Sequence, residues 1–192
     1  FNNGAYHVAG TDRAVPFSEV VRTAFMPSWL PPGLEIGLYE TATWSPKTDT
    51  TPNSCHLCEV EIDPETGSLE LVRYSAVHDV GTEINPAMVA GQIHGGIAQG
   101  FGQAAMEDVV FDGESGQLLT GSLMDYALPR ADALCHLAIA SHPVPTKTNP
   151  LGVKGAGECG TVGALAAVMN AVNDALAPLG VGNLPMPATP ER

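Results

Sequence analysis

Residues 86–107, PAMVAGQIHGGIAQGFGQAAME, predict a helix whose composition decides the fold. Five glycines lie inside it: Gly91, Gly95, Gly96, Gly100 and Gly102. Each glycine in a helix interior costs about 0.5–1 kcal/mol relative to alanine, so this helix needs its backbone close to something. The pattern leaves two interpretations open: a bulky polar ligand rests on the helix, or another helix crosses it tightly.

Glutamines form a stripe along the same helix. Gln92, Gln99 and Gln103 are spaced 7 and 4 residues apart. On a helix of about 3.6 residues per turn, this spacing places them within about 40° of one another. Their amides are suited to hold a polar ligand, and they are equally suited to a solvated helix face. The spacing alone does not decide between the two.

A second glycine-rich segment, residues 150–161 with the sequence PLGVKGAGECGT, leads into a predicted apolar helix over residues 162–177. It contains the dinucleotide-binding pattern G-x-G-x-x-G, but prolines occupy the stretch before it and no acidic residue stands about 20 positions after it. The sequence therefore favours a loop with one carboxylate, Glu158, at its apex. Glu158 is either a capping or dipole-compensating residue, or a general base among small residues.

Strand-like segments surround these helices. The clearest pattern is a hairpin, with alternating apolar residues over 58–62, a turn over 64–67 and a second strand over 69–80. Further predictions are a helix over 15–26 with Ser18 as its N-cap, a strand over 34–44, a small hairpin around 112–116 and a strand over 135–140. Mixed strands and hairpins packed on two Gly/Ala-rich buried helices, without regular βαβ alternation, predict an α+β fold.

The composition excludes several classes of protein. The chain has 192 residues, with 8 Lys and Arg against 21 Asp and Glu and a formal net charge of -13. Binding of phosphate backbones takes clustered Lys and Arg, so we expect no nucleic-acid partner. No run of eighteen apolar residues occurs, so we expect no membrane span. The chain begins at Phe1 without a signal pattern, from which we expect part of a longer gene product.

Four cysteines are too few for a disulfide scaffold at this length, which favours a reducing, cytoplasmic environment. Cys55 and Cys58 have the spacing of half a zinc site or of a redox motif. A closed zinc site needs a second such pair, which the sequence lacks. We therefore interpret them as an ordinary reduced pair on a strand.

Several segments in register resemble the large subunits of the molybdenum hydroxylases, the family of xanthine dehydrogenase, aldehyde oxidase and aerobic carbon monoxide dehydrogenase. The matching segments are residues 59–63 (EVEID), 77–86 (VHDVGTEINP), 91–100 (GQIHGGIAQG), 125–129 (DYALP) and 150–161. The resemblance covers nearly the whole chain, residues 1–192, and it corresponds to the C-terminal, molybdopterin-binding part of the family's large subunit.

The resemblance implies a fold of the molybdenum-cofactor-binding type and an enzyme that oxidises an aldehyde, an N-heterocycle or a similar small molecule with water-derived oxygen. Its cofactor would be molybdopterin with Mo, which bacterial members of the family often carry in the cytosine dinucleotide form. Glu158 would act as the base on a Mo-bound hydroxyl, and we expect its side chain to be partly buried. The residues expected to contact the cofactor are Gln92, Lys154, Gly155, Ala156 and Gly157.

The resemblance also implies partners. These are the remaining large-subunit segment and chains that carry iron–sulfur clusters and FAD, in an oligomer whose isolated 192-residue part is inactive. No cysteine pattern for a [2Fe–2S] cluster is present in this chain. The family's other cofactor contacts and its substrate-selecting loop lie upstream of this region. A rival interpretation is therefore a non-catalytic split subunit or a cofactor-free fragment that serves as an assembly module.

Overall fold

A computed structural model describes residues 1–192, which divide into two units. The smaller unit is Phe1–Ser45. In it, β1 (Ala5–His7) pairs in antiparallel fashion with β2 (Ala14–Pro16), and α1 (Phe17–Phe25) follows directly.

The start of α1 differs from the prediction. Residues 15 and 16 belong to β2, and Pro16 rather than Ser18 occupies the N-cap position. The Phe17 N–H donates to the Gly4 carbonyl oxygen at 2.8 Å, and no side-chain capping bond forms. The prediction of Ser18 as the N-cap is wrong because the backbone of the preceding turn fixes the start of the helix.

Residues 34–44 form no strand, so that prediction is also wrong. Gly37 has a φ of +108°, which lies outside the extended region. Its N–H donates to the carbonyl oxygen of Ala24 in α1 at 2.7 Å. The backbone here is therefore bonded to a helix rather than to a strand partner.

The larger unit, Pro46–Arg192, contains a three-stranded sheet in the order β3-β4-β5. β3 (Asn53–Ile62) and β4 (Leu69–Asp79) form the main predicted hairpin. β5 (Leu137–Ser141) runs parallel to β4, and it begins two residues and ends one residue later than predicted.

Two turns close the hairpins of this unit. Asp63 accepts hydrogen bonds from the Glu65 N–H through its side chain and from the Gly67 N–H through its carbonyl oxygen, each at 2.8 Å. The smaller predicted hairpin is reduced to one bridge between Phe111 and Leu118. Both turns lie where the sequence predicts them.

Two long helices complete the larger unit. α2 (Pro86–Ala105) begins after Asn85, whose side chain accepts a hydrogen bond from the Met88 N–H at 3.1 Å. α3 (Cys159–Leu176) begins three residues before the predicted start. The sheet and these helices confirm the α+β prediction.

The two helices cross where glycines meet. A Cβ built on Gly96 would lie 2.9 Å from the Cα of Gly160, and a Cβ built on Gly100 would lie 2.6 Å from the Cβ of Ala164. These distances are shorter than real carbon contacts, so side chains at these positions would separate the helices. The interpretation as a tight helix crossing is confirmed for these glycines.

The hydrophobic core lies between the helices and one face of the sheet. On β4, Tyr74 and Ala76 are buried whereas Val77 is exposed, the alternation of a sheet with one covered face. Other buried core residues are Leu71, Ile93, Ile97, Phe101, Val168 and Val172.

α3 together with the turn after it, Cys159–Leu179, is apolar and long enough to cross a membrane by length and composition alone. Its most apolar window has a mean hydropathy of 1.3. Ala164, Val168 and Val172 of this helix are fully or almost fully buried in the core. One face of the helix therefore belongs to the core, and 22% of its most apolar window is buried.

Replacing Gly96 with alanine should lower the free energy of unfolding by about 1–3 kcal/mol, the usual cost of adding a methyl group to a closely packed contact. The added Cβ would meet the backbone of Gly160 and Thr161, each at 2.9 Å, and backbone cannot move aside like a flexible side chain. Urea unfolding of the whole protein measures the change.

Gly95→Ala is the matched control, because a Cβ at Gly95 meets nothing within 4 Å. This variant should raise the free energy of unfolding by about 0.5–1 kcal/mol through helix propensity. Equal effects of the two substitutions would contradict the tight crossing.

Candidate functional site

The helix crossing brings together the two segments that the sequence predicts to carry chemistry. A Cβ on Gly160 would lie 2.5 Å from the carbonyl oxygen of Ile93 and 3.0 Å from the Cα of Gly96. The first turn of α3 therefore lies against the turn of α2 that begins beside Gln92. Gln92 and Glu158 accordingly lie on neighbouring turns of two helices in contact.

Glu158 directly precedes α3, where it occupies the N-cap position. Its side chain makes no capping hydrogen bond, so the interpretation as a capping residue is wrong. The residue is exposed rather than partly buried as we expected. The small residues Gly155, Ala156 and Gly157 leave its surroundings open. The carboxylate lies at the N-terminal end of α3, where no hydrogen bond from the helix start engages it.

Four glycines around Glu158 and Gln92 have no packing role within the chain. A Cβ at any of them would meet nothing within 4 Å, and none has a positive φ: Gly91, Gly95, Gly155 and Gly157. Their backbones are bare, with open space beside them. The other interpretation of the glycine pattern, a large polar group that approaches these backbones closely, stays a prediction.

The three glutamines of α2 are exposed, as a stripe on one helix face requires. Gln99 accepts a hydrogen bond from the hydroxyl of Thr161 at 3.1 Å, so this amide holds α3. Gln92 lies nearer the start of α2, beside the bare backbone of Gly91 and Gly95. The stripe thus divides between helix packing and an open polar surface.

Lys154 lies between the sheet and the glycine-rich loop. Its ammonium group is 2.5 Å from Oδ2 of Asp79, and the side chains are only 11% and 12% exposed. Burial raises the pKa of Asp79, but hydrogen bonds from Lys154 and from the Val144 and Gly81 N–H groups outweigh it, so the pKa lies well below its usual range. Asp79 is therefore an ionised carboxylate that neutralises Lys154.

Backbone bonds reinforce this contact. The Lys154 N–H donates to the Val80 carbonyl oxygen at 2.8 Å, and the Thr82 N–H donates to the Gly152 carbonyl oxygen at 3.0 Å. Gly81 has a φ of +66°, and a Cβ there would collide with the Gly152 carbonyl. Glycine is required here for both conformation and space.

The start of β3 holds the other side of the loop. The Ser54 hydroxyl donates to the Cys159 carbonyl oxygen at 3.2 Å. His56 lies under α3, and its Nδ1 is 2.6 Å from the Tyr74 hydroxyl. Burial lowers the pKa of His56 and raises the pKa of the Cys159 thiol, so both groups favour their neutral forms.

The cysteine pair lies on β3, as predicted. Cys55 is exposed, Cys58 is half-buried, and both are free thiols. Burial, with a smaller contribution from nearby Cys135, raises the pKa of Cys58 to about 11. A thiol with this pKa is protonated at neutral pH, which disfavours a redox or zinc-binding role.

Asp79 is the residue whose part in the site the sequence analysis missed. It lies within a segment quoted for the family resemblance, but no role was assigned to it. The signal in the sequence is a carboxylate at the end of a buried strand, followed two residues later by Gly81. Its partner Lys154 is 75 positions away, so no local pattern pairs the two.

Comparisons with known proteins identify the family of the chain. The family model of the molybdopterin cofactor-binding domain matches residues 1–134. The chain is 38% identical over 187 residues to the nicotine 6-hydroxylase large subunit of Paenarthrobacter nicotinovorans, covering 96% of this chain and 23% of that protein. It is 40% identical over 162 residues to the carbon monoxide dehydrogenase large chain of Hydrogenophaga pseudoflava, covering 84% of this chain and 20% of that protein.

Solved structures give the same result. Quinoline 2-oxidoreductase from Pseudomonas putida 86 superposes with a TM-score of 0.91 at 43% identity, over 98% of this chain and 24% of that chain. This chain thus spans about a quarter of the length of the relatives it matches. The matched family model, the relatives and the shared fold show that the chain belongs to the molybdopterin cofactor-binding domain family of molybdenum hydroxylase large subunits.

Proposed function

We propose that residues 1–192 form the C-terminal molybdopterin-binding part of a molybdenum hydroxylase large subunit, with Glu158 as its catalytic base. One observation supports the proposal: the α2–α3 crossing brings the first turn of α3, which follows the uncapped Glu158, against the turn of α2 that begins beside the exposed Gln92. A base, an amide and an open surface for a large polar group then lie on one wall.

The groups on this wall suit a cofactor that brings its own metal ligands. No three His, Cys, Asp or Glu side chains come together to hold a metal ion. The wall instead offers the amide of Gln92 and the backbone groups of residues 155–157, which can bind the polar edges of a pterin. Lys154 contributes to the same wall by holding the loop, since Asp79 neutralises its ammonium group.

When bound, the molybdenum–pterin group would activate water-derived oxygen as a Lewis acid and take up two electrons from the substrate. Glu158 would accept the proton that this activation releases, as a general base. Its exposed carboxylate has no competing hydrogen bond from the helix start. Gly155 and Gly157 place no side chain between this carboxylate and an approaching molecule.

The names of its relatives support a proposal for the substrate and partners of the whole protein. Their names include nicotine 6-hydroxylase, quinoline 2-oxidoreductase and carbon monoxide dehydrogenase. We propose a small N-heterocycle, aldehyde or similar molecule as substrate. We further propose an oligomeric cytoplasmic complex in which other chains carry the iron–sulfur clusters and FAD, and a pterin in its cytosine dinucleotide form.

The rival proposal is a cofactor-free assembly module. The observation in its favour is that apolar residues flank the open glycine surface, with Met88 65% exposed and Val162 66% exposed. An exposed apolar patch of this kind also suits contact with another protein chain. Elemental analysis of the protein purified with its genomic neighbours separates the two, because stoichiometric Mo supports the enzyme and its absence supports the module.

Replacing Glu158 with Gln should reduce turnover by a factor of about 100 to 10,000, the usual contribution of a general base. The amide has the size of the carboxylate but cannot accept the proton. Turnover is measured with quinoline, nicotine and carbon monoxide and an artificial electron acceptor, and Mo content is measured on the same samples.

Glu61→Gln is the matched control, because Glu61 is an exposed carboxylate on β3, near the turn of the hairpin. It should retain full turnover. Retention of turnover by Glu158→Gln with normal Mo content would refute the assignment of the base.

Replacing Gln92 with Ala should weaken retention of the cofactor about 2- to 10-fold, which corresponds to the loss of one hydrogen bond of about 0.5–1.5 kcal/mol. Mo per protein after dilution and gel filtration measures the change. Gln103→Ala is the control, because Gln103 is exposed on the same helix face three turns further on. Equal losses of Mo in both variants would argue against a contact at Gln92.

A further inference from the structure

The carboxylate of Asp79 joins three segments of the chain. Its Oδ1 accepts hydrogen bonds from the Gly81 and Val144 N–H groups, each at 2.9 Å. Its Oδ2 accepts from the ammonium group of Lys154 at 2.5 Å. The two oxygens thus have separate tasks: Oδ1 holds the turn after β4 and the loop after β5, whereas Oδ2 holds the segment that leads to Glu158.

Between its two fixed points, that segment is held only by Ala156, which packs against the core and accepts a hydrogen bond from the Cys159 N–H at 3.4 Å. Lys154 is fixed by Asp79 and by the backbone bond to Val80. A Cβ added to Gly155 or Gly157 would meet nothing within 4 Å. α3 then begins, and its first turn is fixed by the Gly160 contact with α2. Glu158 lies in the short stretch between, so its place depends on both fixed points.

Asp79 also lies at the right end of the sheet for this task. It pairs with Asn53 across the β3–β4 ladder. The next residue, Ser54, donates to the Cys159 carbonyl oxygen. The same end of the hairpin therefore contacts the chain on both sides of Glu158.

From these contacts we propose that Asp79 is a positioning residue for Glu158 and acts through its ion pair with Lys154. This inference rests on the proposed function only for the role of Glu158 as a base. The two glycines near Glu158 would allow the loop backbone many conformations. The buried ion pair to the sheet restricts these conformations. A base displaced by about 1 Å can lose about 100-fold in rate, so such fixing bears directly on turnover.

The two oxygens of Asp79 allow a selective test with Asp79→Asn. An asparagine oxygen can still accept from Gly81 and Val144, but an asparagine NH₂ group cannot accept from the Lys154 ammonium. The variant should keep the turn after β4 and break only the ion pair of the Lys154 side chain. Hydrogen–deuterium exchange of the whole protein should then become about tenfold faster or more in residues 152–162, while core residues 97–105 of α2 stay unchanged.

Asp63→Asn is the matched control. Asp63 also accepts hydrogen bonds, from the Glu65 N–H at 2.8 Å and the Thr66 hydroxyl at 2.9 Å. It lies at the opposite end of β3, about 30 Å from the Asn53 end at the usual rise per residue. This variant should leave exchange in residues 152–162 and turnover unchanged.

Turnover gives the second readout, with the probe that the parent enzyme oxidises among quinoline, nicotine and carbon monoxide. Asp79→Asn should lower kcat about 10- to 100-fold with KM and Mo content almost unchanged. In a Glu158→Gln background the same change should have almost no further effect, since a positioning residue has nothing left to position. Lys154→Met should reproduce the loss of kcat, and Lys154→Arg should largely restore it.

The outcomes separate the two proposals. Unchanged exchange in residues 152–162 for both Asp79→Asn and Lys154→Met overturns the positioning role, even when Glu158→Gln is inactive. Faster exchange with full turnover in Glu158→Gln overturns Glu158 as the base and leaves the anchoring of the loop intact. Multiplicative loss of kcat in the double variant overturns the link between Asp79 and Glu158. If Asp79→Asn fails to fold, the two Lys154 variants carry the test.

Discussion

The contact between Gly96 of α2 and Gly160 of α3 is the constraint on which the rest of the larger unit depends. A Cβ built on either residue would lie within 3.0 Å of the Cα of the other, so neither position has room for a side chain. The helices can therefore pack backbone to backbone while Ile93, Ile97 and Val168 fill the core around them. The same contact places the start of α3, and with it Glu158, against the turn of α2 beside Gln92.

Glycine serves two different needs in this chain. At Gly96, Gly100 and Gly160 it allows the helices to touch, and the burial gained there offsets its cost in helix propensity. At Gly91 and Gly155 nothing in the chain requires it, since the space beside the backbone is open. A glycine that lowers stability and makes no packing contact is not explained by contacts within the chain. In the proposed function, these open glycines belong to the surface that the cofactor would cover.

The sequence predicts the α+β fold, the β3–β4 hairpin and both long helices, because their apolar periodicity is strong over many residues. It fails where tertiary contacts override local pattern. Residues 34–44 look like a strand but bond to α1 through Gly37, and Ser18 is displaced as a cap by the backbone of Gly4. In the folded chain Glu158 and Gln92 lie on neighbouring turns of two helices in contact, and their roles toward a cofactor stay predictions. The exposure of Glu158 could not be predicted, because it depends on which side chains lie near it in the folded chain, and the small residues before it cover none of its surface.

In the proposed arrangement, the ion pair between Asp79 and Lys154 lets a glycine-rich loop present a carboxylate in a defined place. Backbone freedom near Glu158 lets large groups approach, but the same freedom would blur the position of a base. A stiff element must supply the order, and here it is the end of β4, reached through a nearly buried charge pair. Partners 75 positions apart in sequence carry this link, which is why only the folded chain reveals it. In this proposal, the glycines of the short segment let a large group approach the backbone, and Lys154 fixes the position of the segment.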